Sequence, residues 1–373
     1  MPSSAVPPRL WSRGLVIVSA VLFLGAMLPN MFVLASRYLG ARGFDEQAIG
    51  QIMGTFNLAS LAGFLLAGRL TARVGHGVTL ALGCVVASIG GVVFEASTGF
   101  AGLAAARGLQ GLGFSAVLVG AAAYVAESAP LPRLGQALGI AGVLTLSAQA
   151  AGPALGEALR DLAGWTWVFR VGAIAGLGGA VVALALPPVR RSDDDGDRAP
   201  RSARDVLAAT ALAAIGFGAM WTFLADYARQ VHISRTTYFF VPYVLAAVST
   251  RLFLGALSDR VGRRQAATPA LVGHAAILIV MVVLSAAWQL VVVGLVYGLC
   301  HGIYYPTLQA MIVERAGGRR SRAIATSTFA FGAGVLIAAF GLGPVARAAG
   351  YPTIYGLASA AGLAAAALIA RSP

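Results

Sequence analysis

The 373-residue chain contains no lysine, only two cysteines and few charged residues of any kind. Charged side chains make up 11% of the sequence, whereas a soluble domain has about 25% to keep its surface in water. Because 58% of the residues are hydrophobic, lipid is the expected solvent. Cys84 and Cys300 each lie in a hydrophobic stretch, so we expect buried thiols and no disulfide framework.

The sequence also lacks the motifs of common enzymes. It has no Walker loop, no glycine-rich dinucleotide turn and no Ser-His-Asp arrangement. Paired histidines and a repeated Met-x-x-x-Met spacing are missing as well. We therefore expect a protein that is not an enzyme, needs no cofactor and has no metal site. Its driving force must then come from an ion gradient or from the gradient of its substrate.

Acidic residues are scarce, and the formal net charge is +13. In a soluble protein this charge would suggest a nucleic-acid partner, but here the arginines concentrate in alternate loops between apolar stretches. Arginine is retained on the cytoplasmic side of short loops. The pattern predicts a multi-pass protein of the bacterial inner (plasma) membrane with both termini in the cytoplasm, and it explains the basic balance without nucleic acid.

Twelve apolar stretches are long enough to cross a bilayer, which takes about 20 residues. Six form an N-terminal bundle within residues 1–189 and six form a C-terminal bundle within residues 206–373, with a charged cytoplasmic linker, 190–205, between them. The first is too long for a signal-peptide core and is interpreted as a retained span. The predicted spans are Gly14–Leu39, Ala48–Ala67, Val78–Phe94, Phe100–Val125, Gln136–Leu159, Trp165–Leu186, Val206–Tyr227, Thr236–Leu257, Ala266–Leu284, Trp288–Val313, Arg322–Val345 and Pro352–Ala370.

Four short motifs occur once in each half, in the same order and at offsets of 186 to 193 residues. Each half has six spans, so both copies start on the same side of the membrane, and the repeat is of the parallel kind. Two bundles that face each other leave a seam at the middle of the molecule. The matching pairs are GAM at Gly25 and Gly218, GRLTARVG at Gly68 and GALSDRVG at Gly255, Gly-Pro at Gly152 and Gly343, and GWTWVF at Gly164 and GYPTIY at Gly350.

The loop after span 8 carries the most specific motif. Gly255, Asp259, Arg260, Gly262 and Arg263 belong to the sequence GALSDRVGRR, in which the glycines permit a tight turn and the acid can accept from helix amides or an arginine. This motif resembles the loop signature of the major facilitator superfamily. The resemblance implies an all-α integral membrane fold of twelve transmembrane helices in two six-helix bundles with a parallel pseudo-two-fold repeat. It also implies alternating access to a central cavity lined by spans 1, 4, 7 and 10.

The corresponding loop after span 2 departs from the family signature. It keeps Gly68, Arg73 and Gly75, but Ala72 replaces the acid and His76 stands where the family has arginine. The resemblance implies that such loops latch the outward-open state. We therefore expect this latch to be weak in the N-terminal half.

Spans 4 and 5 carry two further segments that resemble signatures of drug and metabolite antiporters. Span 4 contains Arg107 and Gln110 in RGLQGLG; span 5 contains Gly152, Pro153 and Gly156 in GPALG, which is similar to a segment associated with exporters. A charge inside a span is costly unless it faces protein or water, so Arg107 should point into the bundle as a substrate-anion site or as a charge that tunes a proton carrier. A structural donor to carbonyls is the alternative. For the span 5 segment, a helix bend and close packing suffice.

Titratable groups at membrane depth, which proton coupling needs, are few. Span 1 has Pro29 and Asn30 where several drug antiporters carry an acid. The coupling candidates are His274 and His301 in spans 9 and 10 and Asp226 near the end of span 7, for which a solvated helix end is the alternative. Glu95 and Glu157 are interpreted as solvated helix ends.

Span 10 has a polar and aromatic face. His301, Tyr304, Tyr305 and Gln309 follow each other at i+3, i+4 and i+8 and share one side of the helix. Such a face favours a lined cavity, although a histidine bonded to a neighbouring carbonyl is the alternative. We expect Arg107 and this face to line the same cavity from opposite halves.

The sequence thus predicts a monomeric secondary active transporter in a lipid bilayer. We expect it to export a drug-like compound or metabolite in exchange for protons by alternating access. Because span 1 lacks the acid, uptake or facilitated diffusion of a small metabolite is the alternative, with a metal ion held by Cys300 and His301 less favoured. A transport-dead sensor or scaffold is a third reading, which a filled apolar centre would support.

Overall fold

A computed structural model describes residues 12–128, 134–189, 203–253, 261–315 and 320–372, and these ranges are helical apart from short turns. Eight of the described stretches, one of which holds both spans 11 and 12, are long and apolar enough to cross a membrane, and the bent helix of span 2 adds a ninth. The helices are Arg13–Met31 and Ala35–Ala41 (span 1), Glu46–Val74 (span 2), His76–Ala96 (span 3), Phe100–Ser128 (span 4), Leu134–Ala163 (span 5), Trp165–Leu184 (span 6), Arg204–Gln230 (span 7), Thr237–Phe253 (span 8), Arg263–Val280 (span 9), Ala287–Arg315 (span 10) and Arg320–Arg371 (spans 11 and 12).

Span 1 is divided, whereas the sequence predicted one helix. The α-helix ends at Met31, the residues Phe32–Leu34 form a 3₁₀ turn, and a short helix continues from Ala35. A 3₁₀ turn inside a longer helix is a local tightening of the backbone, because its hydrogen bonds join residues three apart. Pro29 lies before this turn, and the intrahelical bond that it removes is the one to the Gly25 carbonyl, four residues earlier.

Glycines with positive φ occur at equivalent loops of the two halves. Gly75 and Gly262, with φ of 82° and 97°, separate span 2 from span 3 and span 8 from span 9. Gly164 and Gly350, with φ of 85° and 80°, separate span 5 from span 6 and span 11 from span 12. Other residues adopt such dihedrals at a cost, so the repeated glycines fix the same sharp turns in both copies.

The two halves also share one packing pattern. Spans 2, 3 and 4 pack together in the N-terminal half as spans 8, 9 and 10 do in the C-terminal half. Span 1 packs against spans 5 and 6, and span 7 packs against the stretch of spans 11 and 12. The twelve-helix fold with a parallel repeat, predicted from the sequence, is confirmed.

The halves meet along a seam that has two different ends. Three pairs of helices contact each other across it: spans 2 and 11, spans 5 and 8, and the end of span 1 with span 7. We call the side that carries Ser12, Ser372 and the loop between spans 2 and 3 the terminal face, and the other side the distal face. Arg204 and Asp205, which the sequence assigned to the linker, already belong to the span 7 helix, and residues 190–202 lie outside the described ranges.

Candidate transport cavity and distal seam

A cavity of about 390 Å³ lies between the halves. Spans 1, 4, 7 and 10 line it, as the resemblance of the loop motif implied. Spans 2, 5, 8 and 11 contribute to the lining as well. Each half therefore supplies four helices to the wall. Most of the lining is apolar, with polar side chains at Asn30, Asn57, Ser60, Arg107, Thr145, Gln149, Thr222, Arg251, His301, Tyr305 and Thr328.

The C-terminal wall of the cavity is aromatic. Phe217 and Trp221 stack with ring centroids 3.7 Å apart, and Phe331 packs edge-on against Phe217 at 5.1 Å. Tyr305 packs against Phe331 at 5.0 Å. Sequence reasoning missed this wall, because aromatic residues inside an apolar span give no sign of which neighbour they face. The wall offers broad, flat surfaces to a planar ligand.

Arg107 lies in the cavity wall contributed by the N-terminal half, in the interior that its sequence context predicted. It is 5% exposed, its Nη1 donates to Gln110 Oε1 at 2.5 Å, and its guanidinium lies 4.7 Å from the centroid of the Phe56 ring. Its Nε has no hydrogen-bond partner among the described residues. Gln110 is fully buried behind Arg107 and holds it, without lining the cavity itself.

Arg251 is a second cavity arginine, which sequence reasoning missed. It comes from span 8 in the C-terminal half, and its Nη1 lies 3.5 Å from the position that a Cβ on Gly142 of span 5 would occupy. Arg251 therefore reaches across the seam. Its Nε is buried and, within the described ranges, unpartnered. The rule that singled out Arg107, a charge inside an apolar span, could have identified Arg251 as well.

The predicted polar face of span 10 is only partly in the cavity. His301 and Tyr305 line it, and His301 Nδ1 lies 3.0 Å from the Tyr243 hydroxyl. Gln309 does not line the cavity but donates to the Tyr305 hydroxyl at 3.1 Å. Tyr304 turns away from the cavity and packs against His274, with ring centroids 5.1 Å apart. The hundred-degree step between neighbouring helix residues separates Tyr304 from Tyr305.

Asn30 and Asp226, two further candidates from the sequence, take different positions. Asn30 lines the cavity and donates to Ala26 O at 2.8 Å. Asp226 lies outside the cavity, where it accepts from Arg229 at 2.6 Å and from the Tyr351 hydroxyl at 2.7 Å. Gly40 of span 1 packs directly against the Asp226 carboxylate. Asp226 thus belongs to the contact between spans 1 and 7.

Glu157 corrects a sequence expectation. It was interpreted as a solvated helix end, but it is fully buried. Its carboxylate accepts hydrogen bonds from both backbone N–H groups and both hydroxyls of Thr236 and Thr237, at the start of span 8 in the other half. The sequence could not show that this helix N-terminus crosses the seam to meet span 5. By contrast, Glu95 pairs with Arg170 within one half, at 2.8 Å.

Further polar contacts join the halves around Glu157. Together with it they form what we call the distal seam, the belt of contacts that joins the halves at the distal face. Its other members are Arg37 with Ser234 at 2.6 Å, Asp161 with Arg235 at 3.3 Å, Glu46 with Gln230 at 3.0 Å, Asp45 with Arg347 at 3.4 Å and Gln47 with Arg347 at 3.1 Å.

The loop motifs of the terminal face are only partly described. Gly255, Asp259 and Arg260 lie outside the described ranges. Arg263 pairs with Glu314 at 2.9 Å. His76 and Glu127, which stand 187 positions earlier in the chain, form the equivalent pair of the N-terminal half at 3.5 Å. Both pairs stay within one half, and both join the start of one span to the end of the next. Gly75 and Gly262 make the turns already noted, Arg73 is exposed, and a Cβ on Gly68 would meet no atom within 4 Å.

The Gly-Pro segment of span 5 packs against span 1. A Cβ on Gly152 would lie 2.7 Å from the Asn30 Cβ, and one on Gly156 would lie 2.8 Å from Leu34 Cδ1. Pro153 lies inside the span 5 helix. Close packing within the N-terminal half is therefore sufficient to explain why small residues occur at these positions.

The described residues hold no group of three or more His, Cys, Asp or Glu side chains able to bind a metal ion. Cys84 and Cys300 are both buried as free thiols. The cavity chemistry of the described ranges therefore consists of two guanidinium groups, one imidazole, one phenol, amides and hydroxyls on an aromatic and aliphatic background.

Comparisons with known proteins place this architecture in a family. A model of the Major Facilitator Superfamily matches residues 15–209 and 206–372. An uncharacterized MFS-type transporter of Mycobacterium tuberculosis is 32% identical over 137 residues, 37% of this chain and 24% of that protein. The tetracenomycin C resistance and export protein of Streptomyces glaucescens is 28% identical over 250 residues, 66% of this chain and 45% of that protein. The matches thus span less than half the length of either relative.

Solved structures share the fold over nearly the whole chain. The crystal structure of the nucleoside transporter NupG superposes with a TM-score of 0.77 at 10% identity, covering 95% of this chain and 98% of that chain. The human organic anion transporter MFSD10 superposes with a TM-score of 0.70 at 16% identity, covering 96% and 99%. At these identities the likeness concerns the fold alone. Taken with the family match over both halves, it shows that this chain, a multi-pass membrane protein, belongs to the Major Facilitator Superfamily.

Proposed function

We propose that this chain, as a monomer in the bacterial inner membrane, exports a small and largely apolar organic molecule by alternating access in exchange for protons. One observation carries the proposal: a substrate-sized cavity lies between two bundles whose distal ends are joined by polar contacts. Pockets for drug-sized ligands have volumes of about 300–1,000 Å³, a range that includes this cavity. The exporters among the chain's relatives, such as the tetracenomycin C export protein, favour export over uptake.

The proposed direction follows from which face is sealed. The distal seam closes the distal face, so a substrate enters this conformation from the terminal face. The concentration of arginine in the loops of the terminal face supports a cytoplasmic location for it. The conformation is then the one that loads substrate from the cytoplasm, and breaking the distal seam releases it outside.

Proton exchange requires a group that binds and releases a proton during the cycle. Of the described lining residues, His301 is the one whose ordinary pKa lies near neutrality. Tyr243 and Arg251 of span 8, His274 of span 9 and Tyr305 of its own span surround it. We therefore assign the proton-binding role to His301.

Proteoliposomes test the transport proposal. The purified protein is reconstituted, preloaded with a panel of fluorescent drug-like compounds, and followed with and without an imposed pH gradient. Labelling of a cysteine at Arg371, which is exposed on the terminal face, by an impermeant maleimide fixes the orientation of the chain. We expect flux from the terminal face to the distal face that a proton gradient accelerates, and a His301→Gln variant that transports without responding to the gradient. Wild-type flux that ignores the gradient contradicts proton exchange, and no flux of any compound contradicts export.

A further inference from the structure

The cavity carries two positive charges that nothing in the described structure neutralises. Arg107 and Arg251 line it from opposite halves, and none of the described lining residues is an aspartate or a glutamate. The two buried acids among the described residues have other partners: Glu157 binds the start of span 8, and Asp226 binds Arg229 and Tyr351. A charge inside a span is costly unless it meets water or a partner, and a ligand can supply that partner.

Several polar atoms in the cavity wall also lack a partner that a ligand could provide. The Nε atoms of Arg107 and Arg251 are buried and, in the described part of the chain, make no hydrogen bond. Gln149 Oε1 and His301 Nε2, which belong to two more lining residues, are in the same position. Buried polar atoms tend to be paired, and these four share one cavity, so a ligand with polar groups could pair them there.

The aromatic lining residues indicate the shape of the apolar part of the ligand. Phe217, Trp221 and Phe331 form a flat apolar surface on one side, and Phe56 and Phe114 lie on the other. The Arg107 guanidinium lies over the Phe56 ring at 4.7 Å, and its Nη1 bonds Gln110, so its unpartnered Nε is the donor available to an acceptor. Guanidinium groups bind carboxylates and other planar anions through two parallel N–H donors.

We infer that the substrate is an aromatic organic acid, whose ring system lies against the wall of Phe217, Trp221 and Phe331 and whose anionic group binds Arg107 and Arg251. The inference rests on the proposed transport function and names its substrate class. Binding to both arginines joins the two halves through the substrate, so the substrate itself becomes part of the contact that alternating access must rearrange. An inside-negative membrane potential favours the exit of such an anion.

Matched pairs of compounds test the substrate class. The purified protein in detergent is titrated calorimetrically with 2-naphthoate and anthraquinone-2-carboxylate, with their uncharged amides, and with the cation 2-naphthylmethylammonium. Acid and amide have the same shape and differ by one charge. We expect the acids to bind at least about 10-fold more tightly than their amides, since hydrogen bonds between charged groups are worth more than neutral ones. The cation should not bind.

Substitutions assign the effect to the two arginines. Arg107→Gln and Arg251→Gln should each weaken acid binding about 10-fold or more and leave amide binding unchanged. Arg42→Gln is the matched control, because Arg42 is exposed and bonds only Tyr38 among the described residues. Arg107→Lys and Arg251→Lys retain the charge and should recover part of the affinity, which separates a charge effect from misfolding.

The outcomes distinguish the inference from the transport proposal. Amides or the cation binding as tightly as the acids, or no acid binding at all, overturns the inference. Acid binding without flux in proteoliposomes supports the inference and contradicts export. Flux of neutral or cationic compounds, with none of the acids, supports export and overturns the inference.

Discussion

Charged side chains inside the spans of this protein fall into two groups according to their partners. Glu157 is surrounded by four donors from Thr236 and Thr237, and Asp226 is held by Arg229 and Tyr351. Arg107 and Arg251 lack any carboxylate partner in the described ranges. The acids therefore maintain one conformation of the molecule, whereas the arginines are available to a ligand. Because truncating one side of a buried charged contact leaves the other side unpaired, Glu157 is open to a direct test.

Glu157→Gln should open the distal face more often. The substitution keeps the shape of the side chain but replaces an acceptor oxygen by an NH₂ group, which leaves donors of Thr236 and Thr237 unpaired when the distal seam is closed. Each unpaired donor costs about 1–3 kcal/mol, and about 1.4 kcal/mol shifts a two-state population tenfold. Spin labels at Phe100 and Trp288, exposed at the distal starts of spans 4 and 10, measure the change by electron–electron resonance.

We expect a longer mean distance between these labels in Glu157→Gln than in the wild type. Glu95→Gln is the matched control, because Glu95 pairs with Arg170 inside one half. The native cysteines are 1% and 4% exposed, so labelling is confined to the introduced positions. An unchanged distance distribution in Glu157→Gln would show that its contact does not hold the distal face closed.

The same residues show how much of a side chain's environment can be predicted from the sequence alone. The interior position of Arg107 followed from the cost of a charge in lipid, and the same rule applied to Arg251 would have found it. Glu157 could not be assigned correctly, because its environment is made by Thr236 and Thr237, about 80 residues later in the chain and in the other half. Sequence reports the cost of a buried group but not the partner that offsets it.

At the scale of the helices, small residues set how closely the spans approach. Gly152 of span 5 leaves no room for a Cβ beside Asn30, so the two backbones are in direct contact.

Gly152→Ala should push span 1 away and lower the free energy of unfolding by about 1–3 kcal/mol, as overpacking does. Thermal unfolding followed by tryptophan fluorescence in detergent measures the loss. Gly178→Ala is the control, because a Cβ there meets nothing within 4 Å and alanine favours the helix. A Gly152→Ala protein as stable as the wild type would contradict the packing role.

Element positions were largely predictable, and their breaks less so. Hydrophobic length located the twelve spans, and the repeated motifs already marked the turns at Gly75 and Gly262. The division of span 1 was missed because the 3₁₀ turn is formed by Phe32–Leu34, three apolar residues that do not differ from the rest of an apolar span.

For the whole molecule, alternating access requires a seam that can open without unfolding either half. Contacts within a half and contacts between the halves should therefore respond differently to the same kind of change. Gly152 tests the first, and Gly50 of span 2 tests the second: a Cβ on Gly50 would overlap the carbonyl oxygen of Ala339 in span 11. Gly54 beside Phe340 extends the same close approach by one turn.

Gly50→Ala should shift the conformation toward an open distal face, because opening separates spans 2 and 11 and removes the overlap, whereas the closed form must strain to keep it. We expect a longer distance between labels at Phe100 and Trp288, with a melting temperature close to that of the wild type. Gly152→Ala should do the reverse, lowering the melting temperature without lengthening that distance. If both variants change only stability, or both change only the distance, the two bundles do not move as separate bodies, and the alternating-access proposal loses its mechanical basis.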